Sequence, residues 1–332
     1  MKTEVMERRA LFVSNRKDID TEFILENKLF KTIAAYSFAE RNRKIDIESI
    51  KEARKVLRQK QGAFSFFRGN NEFVIATKMA LSGNPERYID DVARVYDMFQ
   101  EGKFWGSTYR VLASLTICDT GRASEAAQII EKTNEIIKGM KDKHPFLTSD
   151  EDTCTVVLLA MKDQSVESIL AELEETYEVV KKNFTFHENA AYSLCQVLTA
   201  YEGSSEDKCK KTLDIFEGFK KADVKYGKNY ELAALGTLAK LNMSADEIVA
   251  EVVEVNDAFK GHSGFGMLEM NAYTKLMFAA MVVVGACSLD DGSADAAAIS
   301  GTVARVVAEE VAMMTAICAA GSIAASSSSS SN

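Results

Sequence analysis

Three histidines, His144, His187 and His262, are the only imidazoles in the chain. An imidazole can carry a proton near neutral pH or ligate a metal. These three lie tens of residues apart and share no helical face, so they have no metal-ligand spacing and no metal is expected. Each sits in a segment that also holds aromatic and polar residues. Around them the same kind of segment supplies Arg68, Asn70, Asn71, Trp105, Glu188, Asn189 and Lys228, with Phe64, Phe66, Phe67, Phe104, Phe146, Phe184, Phe186, Tyr226 and Phe265. The most distinctive run is His144-Pro145-Phe146-Leu147-Thr148-Ser149-Asp150-Glu151-Asp152. Its paired carboxylates Glu151 and Asp152 could do acid–base work or hold a cation. The plainer reading is a helix start, with a capping box from Thr148 to Glu151.

No dinucleotide fingerprint, phosphate loop, zinc-protease motif, nucleophile elbow or calcium loop occurs, and no cofactor is expected. The six cysteines, Cys118, Cys154, Cys195, Cys209, Cys287 and Cys318, are scattered without a CxxC pair, which reads as reduced core thiols.

The elements that would position these residues repeat. Polar breaks at Asp46, Asn84, Ser165, Ser204 and Ser244 each offer a side-chain oxygen to the free N–H groups of a following helix, with an acid close behind. They recur about every 40 residues with one gap of about twice that, which predicts a sixth cap near Ser124. After each break comes an amphipathic helix, such as Ile89, Val92, Tyr96 and Phe99 on one stripe. Before each break comes a more uniformly apolar helix, such as Ile33 to Phe38 or Val156 to Met161, expected to form an inner layer. The pattern predicts an all-α protein of αα-hairpin repeats, a solenoid or α/α superhelix, with about six units of roughly 40 residues. In such a stack the histidine-bearing loops would share one edge. Plugging of grooves between units is the simpler role for their aromatics, and ligand or partner contact the alternative.

The helical-repeat domain is expected over residues 1–289, and an alanine-rich helix with a disordered serine end over 290–332. The longest uncharged run of that tail, Val311 to Ala325, is too short and weakly apolar for a transmembrane helix, and a membrane partner is not expected. The start, Met1 to Arg9, lacks the apolar core of a secretory signal and points to the cytoplasm. A net charge of −9, with basic residues interleaved among acids, argues against nucleic acid as a partner.

Four segments carry a family resemblance: Phe67-Arg68-Gly69-Asn70; Phe104-Trp105-Gly106-Ser107; His144 to Ser149 with Glu151-Asp152; and Tyr226-Gly227-Lys228 with Tyr230-Glu231-Leu232. Together they resemble an uncharacterised bacterial family, domain of unknown function 4003, over roughly Glu4 to Val284. The resemblance implies a bacterial, cytoplasmic protein and brings no activity, cofactor or catalytic residue. Function is therefore open among three readings. The first is a non-enzymatic scaffold that binds a protein or peptide. The second is an enzyme or small-molecule binder using the loop edge of Arg68, Asn70, Trp105, His144, Glu151, Asp152, His187, Lys228 and His262. The third is membrane association through the alanine-rich tail.

Overall fold

Helices that are apolar on every side can exist in water only if other helices enclose them. Seven segments have this character, with nearly every side chain buried: α2 (Lys28–Glu40), α4 (Glu72–Leu81), α6 (Thr108–Asp119), α8 (Thr153–Ala160), α10 (Glu188–Ala200), α12 (Glu231–Leu238) and α14 (Ala272–Cys287). Seven others bury one stripe: α1 (Thr3–Glu22), α3 (Ile47–Lys60), α5 (Pro85–Gln100), α7 (Ala126–Lys143), α9 (Val166–Val180), α11 (Ser205–Lys221) and α13 (Ala245–Ala258). The computed structural model describes residues 1–63 and 65–287, and the Asn70 side chain is outside that description. The described residues form fourteen α-helices and no strand. Phe64, Cys318 and the alanine- and serine-rich tail lie outside them.

The amphipathic helices start where the polar breaks place them. Asp46 accepts the Ser49 N–H at 2.9 Å, Asn84 that of Arg87 at 3.1 Å, Ser165 that of Ser168 at 3.2 Å, and Ser204 that of Asp207 at 3.1 Å. Ser244 forms a full capping box with Glu247. Ser124 does not cap. It lies within a 3₁₀ turn, Ala123–Glu125, that leads into α7 without a side-chain cap.

Each one-striped helix packs on the apolar helix that follows it: α1 on α2, α3 on α4, and so on to α13 on α14. The hairpin therefore spans the aromatic loop, and the unit begins one helix earlier than the polar breaks suggest. This pairs the helices seven times, because α1 adds a helix that the apolar pattern did not mark. Its buried stripe places Val5, Phe12 and Ile19 seven residues apart, with Arg8, Asn15 and Arg16 buried between them, so its periodicity is masked by polar side chains.

The one-striped helices also adjoin one another, α3 on α5 through to α11 on α13, and α13 reaches α1. Among the apolar helices, α2 meets α4, and α6, α8, α10, α12 and α14 form a second run in contact, with α14 also packing on α1 and α2. The first and last pairs thus touch. There Phe12 meets Phe259, Phe265 and Phe278 at ring distances of 5.7, 5.2 and 5.8 Å, and the Tyr36 hydroxyl donates to the Met281 carbonyl at 3.1 Å. Gly264, at φ +87°, leaves room for Arg16, whose side chain a Cβ there would strike.

The loops joining each one-striped helix to its apolar partner lie at one end, and several are tied to a neighbouring element. Lys28 Nζ donates to the Leu268 carbonyl, Glu26 pairs with Arg54, Asn71 donates to Thr108, and Asp150 accepts from Ser107 and Arg110. Every one of these seven loops carries an exposed large apolar residue: Ile24 and Leu25, Phe66, Phe104 and Trp105, Phe146, Phe186, Tyr230, and Met267 and Leu268. The six loops at the opposite end carry no exposed large apolar residue among those described.

Truncating Phe12 to Ala removes an aromatic shared by the first and last pairs, and burial of this kind sets a cost of about 3–5 kcal/mol. Urea titration of Phe12→Ala should show that loss; a change under about 1 kcal/mol would mean that the contact is dispensable.

Candidate functional site

A cleft of about 860 Å³ opens at the aromatic-loop end, between the N-terminal ends of α8, α10 and α12. Its size lies in the range of small-molecule sites. Carboxylates come from Glu151, Asp152 and Glu188, neutral polar groups from Ser149, Thr155, Asn189, Ser193 and Asn229, and aromatic surface from Phe146, Phe186 and Tyr230. His187 is also on the wall, and no Lys or Arg is among the lining residues.

The acids are there because three helices begin there. Orphan N–H groups and the positive end of a helix favour carboxylates in the first turn. Asp152 closes a capping box with Ser149, one residue beyond the Thr148–Glu151 box expected from the sequence. Its Oδ2 accepts the Ser149 N–H at 2.7 Å and its Oδ1 accepts Gln196 Nε2 at 2.6 Å. Burial raises the Asp152 carboxyl above its ordinary value against those two bonds. Glu151 is exposed and accepts the Tyr109 hydroxyl at 2.9 Å. Glu188, at the exposed start of α10, has no hydrogen bond or ion pair among the described residues.

The structure brings only part of the expected loop edge together. Glu151, Asp152 and His187 share the cleft. His144 lies in a shallower groove beside it, also lined by Lys181 and Lys182. There its Nε2 is 2.9 Å from Glu174, and its ring stands edge-on to Tyr177 and Tyr192, each at 5.2 Å. Arg68 is committed to Glu72, which also receives Arg54 and Arg58. Lys228 lies over the Phe216 ring at 5.6 Å. Trp105 is 85% exposed at a loop tip, and His262 is exposed in the loop before α14. None of these last four lines the cleft. The aromatics divide: Phe67, Phe184, Tyr226 and Phe265 are buried as groove plugs, whereas Phe104, Phe146 and Phe186 are exposed. Thr155, Ser193 and Asn229 were not singled out in the sequence, having no motif and only their position near an apolar-helix start to mark them, and Tyr230 entered only through the family resemblance.

Residues 15–313 match the family model described as Protein of unknown function (DUF4003). The chain belongs to this family. The match begins inside α1 and takes in every loop that lines the cleft. No curated protein and no solved structure matches.

Other titratable groups serve the framework. Among the described residues, no three His, Cys, Asp or Glu side chains are grouped so as to hold a metal ion. Cys118, Cys154, Cys195, Cys209 and Cys287 are not joined in disulfides, and burial pushes Cys118 up to about 12 and Cys209 to about 11, far from thiolate reactivity. Burial by itself would raise the Glu72 carboxyl, but hydrogen bonds from Arg54, Arg58 and Arg68 overcome it and hold the group at about 2, down from 4.5. No described helix is long and apolar enough to cross a membrane.

Two pH signatures follow. A depressed carboxyl stabilises the fold above its unfolded value and loses that contribution as pH falls through the folded one. Glu72→Gln should therefore be less stable than the parent at neutral pH, with the gap closing between pH 4.5 and about 2 in denaturation curves. Asp152 has the opposite sign, since its raised value makes ionisation oppose folding above the folded pKa. Asp152→Asn keeps the cap, and rotation of Gln196, whose Oε1 is unpartnered, supplies an acceptor for the new amide. This variant should be at least as stable as the parent at neutral pH, with the difference vanishing in acid; the reverse order would show that the carboxylate's two bonds outweigh its burial.

Proposed function

We propose that the protein is a binding protein whose cleft at the starts of α8, α10 and α12 takes a ligand bearing an organic cation. The ligand would be an amine or guanidinium, free or on the side chain of a basic peptide segment. The observation that carries this reading is the wall itself: three carboxylates and no Lys or Arg, beside the aromatic side chains Phe146, Phe186 and Tyr230. Carboxylates give such a group charge-assisted hydrogen bonds, and aromatic rings attract it through their faces. Glu188 is the natural first contact, being exposed and unpaired, while Asp152 anchors the floor. Binding is preferred to catalysis because His187 makes no side-chain hydrogen bond among the described residues, so no base is held in place by an orienting partner.

The reading extends to the frame around the cleft. We place the helical domain at residues 1–289, as a closed double layer of seven hairpins rather than an open solenoid. Support comes from the contacts of α14 with α1 and α2. A closed frame holds the three helix starts at fixed separations, as a preformed site requires.

Calorimetric titration tests the reading with 1,4-diaminobutane, with a short oligolysine peptide amide, and with the same peptide amide acetylated at its α- and ε-amino groups as a neutral control. The cationic probes should bind, weaken with salt, and lose about tenfold in affinity to Glu188→Gln, the worth of one charge-assisted bond. Preference for the peptide over the diamine assigns the cation to a polypeptide partner, and the converse to a small amine. Failure of both to bind, or equal binding of the acetylated control, rejects the proposal.

A further inference from the structure

The hairpins bring helix ends of both kinds to the aromatic-loop end, because one-striped helices stop there and their apolar partners begin there. Helix starts favour acids and helix ends favour cations. The acidic cleft at the starts of α8, α10 and α12 accordingly has basic neighbours at the ends of α7 and α9. Lys141 and Lys143 stand in the last turn of α7, and Lys181 and Lys182 in the 3₁₀ turn that follows α9.

Three of these lysines, Lys143, Lys181 and Lys182, line the groove of about 590 Å³ that holds His144. Glu188 is the single carboxylate among its lining residues. Two acids of α9 are already engaged: Glu174 meets His144 Nε2 at 2.9 Å, and Glu178 pairs with Lys181, whose Nζ also lies 5.5 Å from the centre of the Tyr177 ring. Lys143 and Lys182 are exposed, and their side chains make no hydrogen bond or ion pair among the described residues.

The groove and the cleft share a wall. Phe146, Leu147, Thr185 and Glu188 line both. A cation held at Glu188 therefore stands at the boundary, with the other carboxylates on the cleft side and unpaired ammonium groups on the groove side. The boundary itself carries the apolar side chains of Phe146 and Leu147.

We propose that cleft and groove form one bipolar site, which takes a ligand with an ammonium group at one end, a carboxylate at the other and a short aliphatic chain between them. This rests on the cation reading of the cleft and adds the anion that the groove holds. A diamine brings its second cation against the lysines of the groove, and a bare anion meets the acids of the cleft. An ω-amino carboxylate avoids both repulsions, and its methylenes lie along Phe146 and Leu147. Two sources share this chemistry: a free ω-amino acid, and the side chain and terminal carboxylate of a polypeptide that ends in lysine.

Calorimetry on the full chain at low salt compares ω-amino carboxylates, from 4-aminobutanoate to 8-aminooctanoate, with the ω-amino amide of each length, which keeps the cation and the shape but not the anion. At the best length the carboxylate should bind about fivefold more tightly than its amide, the worth of two exposed ion pairs. Lys143→Gln with Lys182→Gln should erase that preference without weakening the amide or moving the urea midpoint. Glu188→Gln should weaken carboxylate and amide alike. Nα-acetyl-Ala-Ala-Lys with a free carboxylate separates the sources: tighter binding than 6-aminohexanoate assigns the site to a polypeptide end, weaker binding to a free amino acid. Carboxylates no better than their amides at every length, or a preference that survives loss of both lysines, overturn the bipolar site. In that case amides that bind and weaken in Glu188→Gln leave the cation cleft standing, whereas amides that fail to bind remove both readings.

Discussion

The apolar helices set the terms for everything else in this molecule. A helix such as α8, from Thr153 to Ala160, has no face that tolerates water. It needs a one-striped helix on its outer side and further apolar helices on its flanks. Repeating that demand along the chain produces two layers, and the outermost members would remain uncovered if the layers had free ends. Contact of α14 with α1 and α2 covers part of these outermost members. Burial of Phe12 among aromatics drawn from the last pair is the same requirement expressed in one residue.

Polar chemistry then collects at helix termini, because nowhere else in the inner layer can it be placed. At one end, cations of one unit reach carbonyls where the next apolar helix stops. Arg43 donates to Leu81 at 3.2 Å, Arg122 to Met161 at 2.9 Å, and Lys162 and Lys211 to Thr199 and Leu241. At the other end, carboxylates gather at the helix starts, and where three starts stand apart enough to leave space, those carboxylates line a cleft. The acidity of the cleft is thus a by-product of helix capping before it is anything else, and a ligand would exploit what the fold already requires.

Local chemistry was the part most readable from the residue order. Asp46, Asn84, Ser165, Ser204 and Ser244 cap because a short side-chain oxygen beside an orphan N–H needs no tertiary help. Ser124 failed as a cap because a 3₁₀ turn intervenes, and the box at Ser149 lies one residue from its expected place for a similar reason, the short turn before α8. Helix α1 was hidden by Arg8, Asn15 and Arg16, polar residues that are buried through long-range partners such as the Glu40 and Arg43 carbonyls and Thr32. The shared edge of the aromatic loops was legible from the repeat. Which loops leave space between them was not, since that depends on side chains such as Arg68 and His144 finding carboxylates of their own.

Because the last helix rests on the first two, insertion of a further helix pair between them would part Phe12 from Phe265 and expose both. The loops are held to the frame only in part: Phe67, Phe184, Tyr226 and Phe265 are buried in it, whereas tips such as Phe104, Trp105 and Phe186 stand clear and can be exchanged without cost to the helices beneath them.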